Sequence, residues 1–320
     1  MAQFIQCTEQ NKNAIRDELI AGLLAPQAFT SPKYLYDALG SKLFEAICEL
    51  PEYYPTRTEA AIFNAHAEDM AQAIGPGSTL IDLGAGNCVK AGRLLPLLHP
   101  AQYVPIDISV DFLREAVARL QQRFPAVDMT AVGMDFSSSL ELPDAVRRDK
   151  RLFFYPGSSI GNFTPDESLR FLQRIRQACE PNGVADGAIL IGIDLIKDAA
   201  TLDAAYDDAL GVTACFNLNL LQHLNHLLDA DFNLRDWRHR GFFNPEQGRI
   251  EMHLEARTSL CVRWHGGERR FERGERIHTE NSYKYTRENF MALLKSAGFG
   301  AMRTWTDPRG WFLICHAQAI

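Results

Sequence analysis

Between residues 78 and 194 the chain repeats one pattern: a short apolar run, a turn, then apolar residues at helical spacing. Residues 78–82 (STLID) read as a strand ending in Leu83, Gly84, Ala85 and Gly86, and a helical pattern follows to about residue 98. Residues 102–107 (QYVPID) read as a second strand, with an amphipathic helix over 109–123 behind it. Residues 127–133, 152–155 (LFFY) and 188–194 (AILIGID) read as three more strands. Ahead of the last of these, Thr164, Pro165, Asp166 and Glu167 spell a capping box with proline at the first helical position, which predicts a helix to about residue 180. Strand–helix–strand repetition joins neighbouring strands in parallel and lays helices on both faces of the sheet. This region is therefore expected to be α/β.

The end of the chain breaks the pattern. Residues 286–297 read as a helix stopped by Gly298, and residues 301–307 and 311–318 read as a hairpin around Pro308, Arg309 and Gly310. A parallel sheet closed by an antiparallel C-terminal hairpin is the shape expected of a Rossmann-like S-adenosylmethionine-dependent methyltransferase, by analogy of fold. Residues 1–60 and 196–285 stand outside the repeat; the second of these is helical to about residue 230 and strand-like from 250. They are expected to join as a second, α+β domain. The division is then 61–195 plus 286–320 for the cofactor and 1–60 plus 196–285 for the substrate, with the acceptor in the cleft between them. At 320 residues and 46% hydrophobic, the chain has material for both cores.

In open parallel sheets, ligands bind beyond the carboxyl ends of the strands. Gly84 and Gly86 allow a sharp turn there and a close backbone approach. Asp107 ends the second strand, about 20 residues on, where a carboxylate can accept both hydroxyls of a ribose. Asp135 and Phe136 follow the third strand, where an acid can hold an adenine amino group while a ring stacks beside it. The turn reads GAGNCV rather than GxGxxG, so a pyrophosphate cradle of the NAD type is less well supported than a nucleoside without phosphates. Lys90 is open to two readings, a solvated helix residue or a partner for the cofactor's carboxylate.

The formal net charge of −7 argues against a nucleic-acid partner, which wants a basic face. The seven cysteines are scattered, without CxxC, as expected for a reducing compartment. The opening MAQFIQCTEQNKN lacks a basic start and an apolar core, and the longest apolar runs fall far short of a membrane span. A cytoplasmic monomer acting on a small molecule, with no membrane partner, is expected. His223 and His226 share a helix face without a third ligand at metal spacing and read as structural, so no metal is expected.

Five long segments are similar to one family. Residues 32–59 (PKYLYDALGSKLFEAICELPEYYPTRTE), 153–165 (FFYPGSSIGNFTP), 190–198 (LIGIDLIKD), 205–221 (AYDDALGVTACFNLNLL) and 278–285 (HTENSYKY) resemble the histidine Nα-methyltransferases of ergothioneine biosynthesis. The resemblance keeps the motif order along nearly the whole chain. It implies S-adenosylmethionine-dependent methylation of the α-amine of histidine, to the trimethylated betaine. It also implies roles for single residues. Tyr53 would lie at the imidazole and Tyr36 near the amine. Asn162, with Gly157 nearby, would hold the backbone groups of the amino acid, and Tyr206 its carboxylate. Glu280 and Ser282 would recognise the imidazole. Gly84, Lys90, Asp107, Asp135 and Phe136 match cofactor-contact positions.

Two departures stand out. The family's glycine turn commonly reads GSGTSEK where this chain has GAGNCVK, and Asn281 stands where an apolar residue is expected. The same fold acting on another amino acid or a histidine derivative, and a non-catalytic sensor of S-adenosylmethionine or an amino acid, are the alternatives these motivate. Taken locally, Tyr53 and Tyr54 read as a packed aromatic loop, Tyr206 as a half-buried helix residue and Glu280 as a solvated strand-edge acid. The resemblance is what moves Tyr53, Tyr206 and Glu280 toward function.

Overall fold

The apolar runs of the mid-chain form strands in a computed structural model that describes residues 2–7, 12–181 and 183–320. The chain divides into two units. One contains the N-terminal strand, Pro55–Ile196 and Lys284–Ile320; the other contains the residues from there to Tyr54, and Lys197–Tyr283. In chain order, the first unit forms β1 (Gln3–Gln6), β2 (Thr79–Leu83), β3 (Gln102–Asp107), β4 (Thr130–Gly133), β5 (Arg151–Tyr155) and β6 (Ala188–Asp194). The second unit forms β7 (Trp237–Asn244), β8 (Arg249–Ala256), β9 (Leu260–Trp264), β10 (Gly267–Phe271) and β11 (Arg276–Tyr283). The chain then returns to the first with β12 (Phe299–Thr306) and β13 (Phe312–Ala319).

Among the described residues, the sheet of the first unit has eight strands in the order β1-β4-β3-β2-β5-β6-β13-β12. The pairs from β1 to β6 are parallel, and β13 runs antiparallel to both β6 and β12. This is the Rossmann-like sheet with an antiparallel C-terminal hairpin that the sequence pattern predicts. β2, β4 and β5 are buried at every position, because helices cover both faces. Alternate residues of β2 feed two cores: Ile81 and Leu83 pack with Phe153 and Phe171, while Leu80 packs with Ile62, Tyr103 and Phe154. The capping box forms as expected. Thr164 caps the helix Pro165–Ala178, its side chain accepting from the Glu167 N–H while Glu167 accepts from the Thr164 N–H.

One element differs from the sequence-based grouping. Residues 3–6 were expected outside this sheet, with the rest of 1–60, but they pair in parallel with β4 as its edge strand. Four residues carry too little alternation to announce a strand.

The second unit is α+β. Its helices are Lys12–Leu24, Ala38–Glu49, Ala199–Tyr206 and Val212–Leu228, and its strands form a sheet in the order β11-β8-β7 and the hairpin β9-β10. Strand begins at Trp237, ahead of the expected 250. Asp37 caps Ala38–Glu49 through the Gly40 N–H at 2.7 Å and also accepts from Asn219 Nδ2 at 2.8 Å, which ties that helix to Val212–Leu228. β8 pairs with β7 and β11 on its two sides, and the β11 register shifts at a bulge between His278 and Glu280.

Candidate active site

In the first unit, the sequence-predicted cofactor residues gather at the carboxyl ends of β2, β3 and β4. Gly84 (φ 71°) and Gly86 (φ 51°) take the left-handed conformation that glycine tolerates. The Gly84 and Ala85 N–H groups both donate to the Ile106 carbonyl, which ties the turn to β3. Asp107 accepts the Gly86 N–H on Oδ2 at 2.9 Å and the Ser109 N–H on Oδ1 at 2.8 Å. Burial pushes its carboxyl above the ordinary carboxylate range, and these N–H groups pull the other way. A carboxylate accepts about four hydrogen bonds, so capacity remains for a ribose hydroxyl.

Asp135 accepts the Ser137 N–H at 3.0 Å, and the ring of Phe136 lies against Tyr155 and Phe171. A Cβ added to Gly84 would stand 3.7 Å from that ring. The turn thus leaves a bare backbone beside an aromatic edge, with Asp107 bonded to it and Asp135 preceding the aromatic residue in the chain. That donor set fits a nucleoside, whose sugar hydroxyls and base amine need acceptors and whose base needs a flat apolar neighbour.

Lys90 is held by a residue the sequence reading passed over. Its Nζ lies 2.6 Å from Glu59 Oε2, and Glu59 Oε1 accepts the Gly157 N–H at 2.7 Å. Gly157 (φ 77°) leads into the short turn Ser159–Asn162, where Asn162 is half-buried. The next residue, Ser158, accepts the Asp194 N–H on its hydroxyl at 2.9 Å. Glu59 was legible only as the last letter of TRTE, since a lone acid in a helix carries no local signal of burial. Asp82, also unremarked in the sequence, is buried on β2 and accepts the Tyr103 hydroxyl at 2.7 Å.

Tyr36, Tyr53 and Tyr206 lie in the second unit. Tyr53, only 8% exposed, meets Phe44 at 6.1 Å and Tyr206 at 6.0 Å between ring centroids, both edge-on. Tyr36 meets Phe44 and Phe216, each at 5.5 Å. The Tyr206 hydroxyl donates to Ser282 Oγ at 2.9 Å. Burial pushes the Tyr53 phenol well above its ordinary range, with Tyr206, Cys48, Tyr36 and Glu280 adding to the effect, so Tyr53 stays protonated at any working pH. The adjacent Tyr54 has a separate task, accepting from Lys197 Nζ at 2.8 Å.

Glu280 is buried rather than solvated, and stands opposite Met252 on β8. Strand alternation puts Ser282 on the same face as Glu280 and turns Asn281 to the other, opposite Glu251. Tyr36, Tyr53, Tyr206, Glu280 and Ser282 all belong to this unit, whereas Gly157 and Asn162 belong to the first. Phe44 and Phe216, packed against Tyr36, and Met252, opposite Glu280, had no signal beyond ordinary core hydrophobicity. His223 bonds the Tyr34 carbonyl at 2.8 Å through Nδ1, a structural use of the ring.

The model of the histidine-specific, S-adenosylmethionine-dependent methyltransferases matches residues 15–319. The chain belongs to this family. Histidine Nα-methyltransferase of Mycolicibacterium smegmatis is 40% identical over 306 residues, covering 93% of each chain. The protein of the same name from Mycobacterium tuberculosis is 38% identical over 306 residues, again covering 93% of each. Ergothioneine biosynthesis protein 1 of Neurospora crassa is 32% identical over 282 residues, 85% of this chain and 31% of that one. As a member of the family the protein is an S-adenosylmethionine-dependent methyltransferase acting on histidine. Among the described residues, no helix is long and apolar enough to cross a membrane.

Proposed function

We propose that the protein transfers three methyl groups in turn to the α-amine of free histidine, giving trimethylhistidine for ergothioneine synthesis. In this reading the first unit binds the methyl donor and the second binds the acceptor. Gly84, Lys90, Asp107, Asp135 and Phe136 hold the donor. Asn162 and Tyr206 take the backbone groups of histidine, and Glu280 and Ser282 its imidazole. The observation that carries the acceptor assignment is the buried Glu280 carboxylate sharing a strand face with Ser282, opposite Met252 and Ile250 of β8. Such a carboxylate can accept a ring N–H, and Ser282 offers a hydroxyl to the second ring nitrogen. Asn281, on the opposite face, bears on neither.

S-adenosylmethionine, when bound, supplies an electrophilic methyl group on a sulfonium. The protein's share is approach geometry and a neutral nucleophile. An α-amine titrates near ~8 in peptides and is mostly protonated at neutral pH, without a lone pair. A dry, cationic neighbourhood disfavours that ammonium form. Tyr53 keeps its proton, so it orients the amine alongside Tyr36 and relays the amine's proton toward water rather than acting as a phenolate base.

The protein works as a cytoplasmic monomer in this reading. The seven cysteines are free thiols, which suits a reducing compartment. Mass spectrometry of histidine incubated with the protein and S-adenosylmethionine tests the whole proposal. Successive mono-, di- and trimethylated products are expected, with label confined to the α-nitrogen. Equal turnover of several amino acids lacking an imidazole would overturn the acceptor assignment, and donor binding without any transfer would overturn catalysis.

A further inference from the structure

Glu59 is an unusual residue to enclose. Its side chain is 1% exposed, and glutamates are seldom so buried unless paired. Its two oxygens serve two different segments. Oε2 meets the Lys90 ammonium at 2.6 Å, and Oε1 takes the Gly157 N–H at 2.7 Å. The surroundings are cut to this arrangement. A Cβ on Gly192 of β6 would lie 2.3 Å from Glu59 Oε1, and a Cβ on Gly157 would lie 3.0 Å from Lys90 Nζ. Carboxylate, ammonium and backbone N–H therefore fit together only because both neighbours lack side chains.

Lys90 is not consumed by the pair. Its ammonium has three N–H groups and no acceptor, Glu59 takes one, and the lysine side chain remains 40% exposed. It emerges one residue into the helix Val89–Leu98 that follows the glycine turn. A free ammonium is a poor neighbour for a sulfonium, since like charges repel. Paired with Glu59, it presents donors to a carboxylate while the pair carries no net charge. Holding the lysine in place beforehand also removes the loss of its rotamer freedom from the binding step.

We propose that Glu59 is a positioning residue for methyl transfer. It aims Lys90 at the carboxylate of the methyl donor's amino-acid portion, and through the Gly157 N–H it sets the start of the turn that carries Asn162. This rests on the reading that the first unit binds the donor and that Lys90 contacts it.

Glu59→Gln separates the two tasks. The amide oxygen still accepts from Gly157, while the amide nitrogen faces Lys90 with a donor where an acceptor is needed. Calorimetric titration of Glu59→Gln with S-adenosylmethionine is expected to show binding weakened about tenfold or more, with histidine affinity within about twofold of the wild type. The donor KM should rise with it, and kcat should change far less. Glu59→Ala should weaken both ligands. Lys90→Gln should reproduce the donor defect, and the double variant Glu59→Gln/Lys90→Gln should be no worse than the poorer single one, because both act through one contact.

Wild-type donor affinity in Glu59→Gln, or multiplied losses in the double variant, would overturn the proposal while wild-type turnover of histidine left the function standing. Absence of that wild-type turnover would instead strike the function itself. Should Glu59→Gln not fold, Gly192→Ala decides the matter: its methyl displaces the carboxylate without removing charge. Donor binding at wild-type strength in Gly192→Ala overturns the proposal, and a matching loss supports it.

Discussion

A buried acid that recognises a ligand and a buried acid that aims a neighbour look alike in a sequence and behave differently when removed. Glu280 is of the first kind in the proposed function. Glu280→Ala should weaken histidine binding by about 1.5–3 kcal/mol, roughly tenfold to a hundredfold, because an imidazole N–H loses a charged acceptor. Calorimetry should find donor affinity nearly unchanged. Asp107→Ala should do the reverse, weakening the donor and sparing histidine; equal loss of both ligands in either variant would contradict the assigned roles. Tyr53 makes a different prediction. Burial keeps its phenol protonated, so Tyr53→Phe should lower kcat while leaving the position of the alkaline limb of the pH–rate profile unmoved. A shift of that limb would mean that Tyr53 itself titrates in the mechanism.

At the scale of elements, the proposed function puts the chemistry on turns and strand ends, while helix starts carry stability. The helix Pro165–Ala178 begins just after Asn162 and is fixed by the reciprocal Thr164–Glu167 cap. Thr164→Ala should cost about 1 kcal/mol of stability, read from denaturant unfolding. The bulge between His278 and Glu280 decides which residues of β11 face inward. A one-residue slip flips every side chain to the opposite face, so without the bulge Glu280 and Ser282 would not occupy the face they do. The capping box was readable in the sequence because it is local: four residues state both partners. The bulge was not, since it is defined only against the register of β8.

For the whole molecule, buried titrating groups set the response to acid. Burial lowers His253 and His316 to about 4 in the folded state, opposed by Glu251 at His253 and assisted by Arg303 at His316. Each is neutral when folded, so each contributes stability above about 6.5 that is lost as pH falls toward 4, up to about 3 kcal/mol apiece. Glu251 is raised by burial, but bonds from Arg249, His253 and Asn244 outweigh this and bring it to about 2. Its contribution is lost only below about 4.5. Asp82 works in the opposite sense. Burial raises it to about 7, so its contribution is full below about 4 and fades as pH rises through 7. Thermal unfolding followed from pH 7 to pH 4 should therefore show falling stability. His253→Gln and His316→Gln should flatten that slope and Asp82→Asn should steepen it.

The sequence by itself determined the strands and helices of the parallel sheet, the closing hairpin and the family. Those features are written in local periodicity, in a helix cap, in turn glycines and in motifs many residues long. Tertiary structure alone decided that residues 3–6 join the sheet edge, that Glu280 is buried, and that Asn281 turns away from Glu280 and Ser282. It alone brought Glu59 to Lys90 and Gly157, partners 31 and 98 residues away along the chain. The physical reason is common to all of these. A contact between distant segments depends on how whole elements pack, and a single acid, glycine or short run of residues carries no local record of the neighbour it will meet.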